Sequence, residues 1–196
     1  MKIQGIILAG GKSRRFGEDK AFAKWKGITL LEHAERILKK LYLESCIIIN
    51  ETQNYSFLKC RTEQDLIPGK GPLGGLYTAC RIFENTSLLV LTCDMPEVTL
   101  ESLLTLMSSH QVKNKITVFR HPEGFLQPFP GLYEPALSHT LFERMNKDQL
   151  SMIDFLESIP EKKVIATQNQ KPFLNVNSKK ELFQANSRLT GQWSEP

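Results

Sequence analysis

A chain of 196 residues, 41% hydrophobic and 23% charged, has the composition of a folded globular protein and the length of one domain with a sizeable core. Its net charge of +4 suits anionic small molecules and is too mild to argue for nucleic acid. No apolar run approaches bilayer-spanning length, and Met1-Lys2 leads straight into an apolar segment, so neither a membrane span nor a signal peptide is expected.

Ile3–Ala9 reads as a strand that stops abruptly at Gly10-Gly11. The loop that follows carries Lys12, Arg14, Arg15 and Lys20, four basic residues within nine positions. Glycines let backbone N–H groups approach an anion closely, and the cations neutralise it, so the loop reads as a grip for a nucleoside triphosphate. It is not a Walker A loop: the required first Gly falls on Ile6, and Ile7-Leu8-Ala9-Gly10 belongs to the strand. The dinucleotide spacing G-x-G-x-x-G is also absent.

Leu30–Leu41 reads as an amphipathic helix with Leu31, Ala34, Ile37, Leu38 and Leu41 on one face. Cys46–Asn50 is a second strand, a short segment carries Asp65, and Leu73–Phe83 has helical spacing. The nearly uniform apolar run Ser87–Cys93 fits a central parallel strand covered on both faces. Thr99–Ser108 is a helix with Thr99 as N-cap, and Lys115–Phe119 a further strand. Gly124–Pro135, with three prolines, suggests an irregular strand and loop. Leu137–Met145 and Met152–Leu156 read as short helices, Lys163–Thr167 as a strand, and Lys179–Arg188 as a final helix capped by Asn177 or Ser178. Residues 1–190 are expected to form one domain and 191–196 a frayed tail. Cys46, Cys60, Cys80 and Cys93 lack C-x-x-C or metal-ligand spacing, as reduced thiols of a cytoplasmic protein would, and no zinc spacing joins the four histidines.

Strands alternating with helices predict an α/β fold, three-layered and Rossmann-like, around a mostly parallel sheet. Ligands of such sheets bind beyond the carboxyl ends of the strands. That rim collects the Gly10-Gly11 loop, Lys20, Asn50, Asp65 and the segment Cys93-Asp94-Met95-Pro96. Asp94 could be a turn former or a ligand of Mg²⁺ bridging phosphates; with a phosphate loop on the same rim, the metal reading is preferred. Asp65 alone reads more readily as a solvated loop carboxylate, and Pro72 as the first turn of a helix.

Leu8-Ala9-Gly10-Gly11-x-Ser13-x-Arg15-Phe16-Gly17-x-Asp19-Lys20 resembles the N-terminal signature of the molybdenum cofactor guanylyltransferases, nucleotidyltransferases of GT-A-like fold, with Phe16 where the family usually has Met. Cys93-Asp94-x-Pro96, the run from Asp65 to Gly75, Gln127-Pro128-Phe129-x-Gly131-Leu132-Tyr133 and Asn175-Val176-Asn177-Ser178 extend the resemblance towards the last helix. It implies transfer of GMP from GTP to the phosphate of Mo-molybdopterin, with release of pyrophosphate. It implies nucleotide contacts from Leu8, Ala9, Gly10, Gly11, Lys12, Lys20, Asn50, Asp65 and Asp94, catalytic roles for Arg15, Lys20 and Asp94, and Mg²⁺ on Asp94. Proteins of molybdenum-cofactor biosynthesis and acceptor molybdoenzymes are the implied partners. The phosphate acceptor is already largely ionised at neutral pH, its second pKa being about 6, so no general base is required. Gly10, where related cytidylyltransferases commonly have Ala, leaves room for a purine. A related cytidylyl- or sugar-phosphate transferase and a non-catalytic nucleotide-binding module are the alternatives.

Overall fold

The computed structural model describes residues 2–9, 19–50 and 60–190; the expected phosphate loop, with Gly10, Gly11, Lys12 and Arg15, and the tail 191–196 lie outside them. β1 (Ile3–Leu8) is buried on both faces from Gly5 onward, as its apolar run requires. Lys20–Phe22 forms a single 3₁₀ turn capped by Asp19, whose carboxylate accepts from the Ala21 N–H. A small hairpin that the sequence did not reveal follows, β2 (Lys24–Trp25) and β3 (Ile28–Thr29). Lys26 and Gly27 both take positive φ there, as a type I′ turn demands.

α1 (Leu30–Lys40) opens on a capping box in which Thr29 and Glu32 bond each other's backbone N–H. β4 (Ser45–Ile49), β5 (Arg61–Gln64), α2 (Gly71–Ile82), β6 (Ser87–Thr92) and α3 (Leu100–Ser109) follow, with Thr99 capping α3 as expected. β7 (Ile116–Arg120), β8 (Leu126–Tyr133), α4 (Ser138–Asn146), α5 (Met152–Ser158), β9 (Lys162–Ala166) and α6 (Lys179–Thr190) complete the order. No described helix is long and apolar enough to cross a membrane.

Seven strands form one sheet in the order β5-β4-β1-β6-β8-β7-β9, parallel except for β8. The two faces of β1 show the layering. A Cβ on Gly5 would meet Leu38 of α1 at 2.8 Å, whereas Leu8 meets the Gly75 position of α2 at 3.0 Å. Positions 5 and 8 point to opposite faces of a strand, so α1 and α2 cover opposite sides of the sheet. The fold is therefore the expected three-layered, mostly parallel α/β structure.

β8 bears out the irregular strand expected for its segment, and it lies in the sheet interior although it contains Pro128 and Pro130. Val118 faces Gly131 and the next residue, Phe119, faces Gln127, so Pro128–Pro130 fall inside a bulge. Their missing N–H groups cost no ladder bonds there. Tyr133 closes the bulge by donating its hydroxyl to the Pro128 carbonyl.

A smaller cluster stands apart from the main core. Ala23, Trp25 and Leu30 pack against Val176, Leu182 and Ala185, fastening the hairpin to α6.

Candidate functional site

Strand register decides which residues meet. Leu8 lies beside Ile48 on one side and Thr92 on the other, and Ile49 lies beside Gln64. The residues that leave these four strands, Ala9, Asn50, Asp65 and Cys93-Asp94, therefore emerge on one rim. A cleft of ≈ 240 Å³ opens there, lined among others by Leu8, Ala9, Lys20, Asn50, Asp65 and Asp94. Gly71, Pro72 and Gly75 of α2 form part of its wall. The six predicted residues within the described chain are thus brought together, whereas Gly10, Gly11, Lys12 and Arg15 lie outside it.

Lys20 Nζ sits 2.6 Å from Asp94 Oδ2, with both side chains less than a fifth exposed. Asp94 Oδ1 is buried and has no hydrogen-bond donor among the described residues. A buried carboxylate oxygen without a donor is poised for a cation, because an unmet acceptor is costly. The backbone carbonyl of Asp94 accepts from Val176 N at 2.8 Å, and Lys20 Nζ also reaches Asn177 Oδ1 at 3.4 Å. The segment before α6 thus touches both members of the ion pair.

This revises the reading of Asn177. Ser178 is the cap, its Oγ accepting from Glu181 N at 3.2 Å, while Glu181 accepts from Asn177 N at 2.6 Å. The Asn177 side chain faces Lys20 instead, a role hidden in sequence because either residue type can cap a helix. Asn175 lines a separate hollow of ≈ 110 Å³ with Glu97 and Glu181.

Asp65 is buried, and burial pushes its carboxyl above the ordinary carboxylate range, opposed by hydrogen bonds from Thr78 and Ile67. A Cβ on Gly74 would lie 2.9 Å from Asp65 Oδ2 and 3.0 Å from the Ile67 carbonyl. A glycine at that position is what admits the carboxylate beneath α2. Cys93, beside Asp94, has its thiol pushed up to about 12 by burial, so it stays protonated and offers no thiolate nucleophile.

Lys70, Arg81 and Arg120, basic residues that do not line the cleft, have partners of their own. Lys70 pairs with Asp148 at 2.9 Å, Arg81 with Glu84 at 3.7 Å, and Arg120 donates to the Gly124 carbonyl at 2.6 Å. Gln127 spans the β8 bulge, donating to the Phe129 carbonyl at 2.9 Å.

The family model described as a MobA-like NTP transferase domain matches residues 5–162. A Flavobacterium johnsoniae protein described as "Probable molybdenum cofactor guanylyltransferase" is 31% identical over 186 residues, covering 94% of this chain and 97% of that one. A Bacillus subtilis protein with the same description is 32% identical over 188 residues, covering 91% and 92%. The crystal structure of molybdopterin-guanine dinucleotide biosynthesis protein A from Archaeoglobus fulgidus shares the fold at a TM-score of 0.80 and 21% identity, over 98% of this chain and 100% of that one. Since the matched span runs from within β1 to the first residue of β9 and includes every described residue that lines the cleft, this chain belongs to the MobA-like NTP transferase family and is a nucleotidyltransferase.

Proposed function

We propose that the chain transfers GMP from GTP to the terminal phosphate of Mo-molybdopterin, releasing pyrophosphate, as the names of its relatives suggest. The observation that carries this reading is the Lys20–Asp94 pair at the carboxyl ends of β1 and β6, in the same cleft as Asn50 and Asp65. It combines a cation for phosphate with a carboxylate that has an oxygen to spare. Leu8, Ala9, Gly10, Gly11, Lys12, Lys20, Asn50, Asp65 and Asp94 hold the nucleotide in this reading. Residues 1–190 form the catalytic domain, acting in the cytoplasm beside cofactor-biosynthesis proteins and acceptor molybdoenzymes.

In this reading a divalent ion rests on Asp94, whose Oδ1 is buried with no donor among the described residues, and on bound phosphates. That donor set suits Mg²⁺, which favours one or two carboxylates plus substrate oxygens. When bound, Mg²⁺ neutralises charge on the triphosphate.

The chain's own task is alignment. The acceptor's phosphate oxygen forms a bond to the α-phosphorus of GTP as the bond to pyrophosphate breaks, with the two oxygens in line. Lys20 and Arg15 hold the β- and γ-phosphates and stabilise the charge that gathers on the leaving pyrophosphate. The acceptor phosphate arrives ionised, so no side chain must remove a proton.

Pyrophosphate release assayed with GTP, CTP, ATP and UTP, each with and without Mo-molybdopterin, tests the reading. Release that needs both GTP and molybdopterin, and is lost in Asp94→Ala, is the expected result. Equal turnover with CTP, or turnover with a sugar phosphate in place of molybdopterin, overturns the substrate assignment. Nucleotide binding without turnover identifies a binding module instead.

A further inference from the structure

Thr78 lies in the interior of α2 with no exposed surface, yet its hydroxyl serves a neighbouring loop. The Leu66 N–H donates to Thr78 Oγ1 at 3.0 Å, and Thr78 Oγ1 donates to Asp65 Oδ1 at 2.9 Å. A hydroxyl has one proton. With the Leu66 N–H taken up by an oxygen lone pair, that proton points at Asp65. The Ile67 N–H also donates to Asp65 Oδ1, at 3.3 Å. Both side-chain hydrogen bonds of Asp65 among the described residues therefore fall on one oxygen. Oδ2, which packs against the bare Cα of Gly74, is left to accept from a ligand in the cleft that Asp65 lines.

The chemistry of that ligand atom follows from charge. Phosphate oxygens are anionic acceptors and are repelled by a carboxylate, so Asp65 Oδ2 takes an N–H of a base or an O–H of a ribose. We propose that Thr78 is a positioning residue for nucleotide binding, aiming Asp65 Oδ2 at a donor on the nucleoside half of the substrate. This rests on the assignment of the cleft to a nucleoside triphosphate.

Asp65 is also chemically sensitive to Thr78. Burial favours its neutral form, and the Thr78 hydroxyl is the first hydrogen bond that opposes this. Among the described residues no charged neighbour enters that balance, and Asp19, Lys20 and Asp94 are the charged groups that share the cleft with it.

The test compares Thr78→Val, which keeps the shape and removes the hydroxyl, with Thr78→Ser, which keeps the hydroxyl. GTP binding in the presence of Mg²⁺ is measured calorimetrically across pH, beside binding of inorganic tripolyphosphate and thermal melting. Thr78→Val is expected to weaken GTP about tenfold, as one misaimed contact to a charged group would, and to leave tripolyphosphate within about twofold. The acid-side loss of GTP affinity should move to higher pH in Thr78→Val, and Thr78→Ser should restore both properties. Unchanged GTP affinity in Thr78→Val overturns the proposal. So does a parallel loss of GTP and tripolyphosphate with an unmoved pH profile, which marks a general structural role. Failure of the unaltered chain to bind any nucleoside triphosphate overturns the cleft assignment and this proposal together. GTP binding that ignores the hydroxyl overturns this proposal alone.

Discussion

Lys20 Nζ and Asp94 Oδ2 lie 2.6 Å apart, although the two residues are 74 positions apart in the chain. The ammonium takes Oδ2 and leaves Oδ1 for the metal, so the two cations repel each other and compete for the charge of one carboxylate. Replacing Lys20 with Met should therefore have opposite effects on two ligands. Mn²⁺ alone, followed by electron paramagnetic resonance, should bind more tightly, and GTP more weakly. Pyrophosphate release should fall about 10²–10³-fold, the usual cost of losing one stabilising group at developing charge. Asp94→Asn should lower turnover similarly and weaken Mn²⁺. Unaltered Mn²⁺ affinity in Lys20→Met would contradict the competition.

Asp65→Asn should stabilise the protein while impairing it. Burial holds the Asp65 carboxyl above its ordinary value, so the folded chain binds this proton more tightly than the unfolded chain. Its contribution to stability is then fully present below the unfolded pKa of about 3.9 and is lost as pH rises through the folded pKa. At neutral pH the ionised group is a burden. Asparagine keeps an acceptor for Thr78 and Ile67 but carries no charge to desolvate. The melting temperature at pH 7 should rise, by roughly 2–4 °C for each kcal/mol recovered, and GTP affinity should fall. A lower melting temperature would show that the carboxylate stabilises the fold.

The frame of this site was legible in sequence because buried parallel strands announce themselves: Ile6–Leu8 and Leu88–Leu91 are apolar on both faces. The rim residues followed from topology alone. What stayed hidden was local. β5, Arg-Thr-Glu-Gln, is a polar and largely exposed edge strand with no apolar alternation to read. The hairpin β2–β3 has only two residues per strand, too short for any period. β8 read as an irregular strand because of its prolines, which a bulge removes from the ladder, but its place inside the sheet did not show. Asn177 and Thr78 were hidden for another reason: their partners are fixed only when distant segments meet.

Acid should destabilise the fold through His33. His33 of α1 bonds the backbone of Pro96, which can offer only its carbonyl, so His33 is the donor. Burial, its largest influence, lowers the pKa of His33 below the usual 6.5. The unfolded chain then binds this proton more readily than the folded one. Stability from neutral His33 is present above about pH 6.5 and is lost as pH falls towards the folded pKa. Urea midpoints measured between about pH 5 and 7 should decline towards acid. His33→Leu should flatten that slope, and an unchanged slope would assign the acid sensitivity elsewhere.

Asn177 and Ser178 are adjacent, yet their substitutions should separate activity from stability. Ser178 accepts from the first turn of α6, and losing such a cap typically costs about 1 kcal/mol. Because α6 also supplies Leu182 and Ala185 to the cluster around Trp25, Ser178→Ala should be seen in the urea midpoint. Asn177 instead contacts Lys20 with a long bond of 3.4 Å at an exposed position. Asn177→Ala should therefore lower turnover by only a few fold, while the midpoint stays near that of the unaltered chain. The Lys20–Asp94 bond is shorter and better shielded, so Lys20→Met must cost far more activity than Asn177→Ala. Comparable losses in the two variants would mean that Asn177 touches substrate itself rather than acting through Lys20.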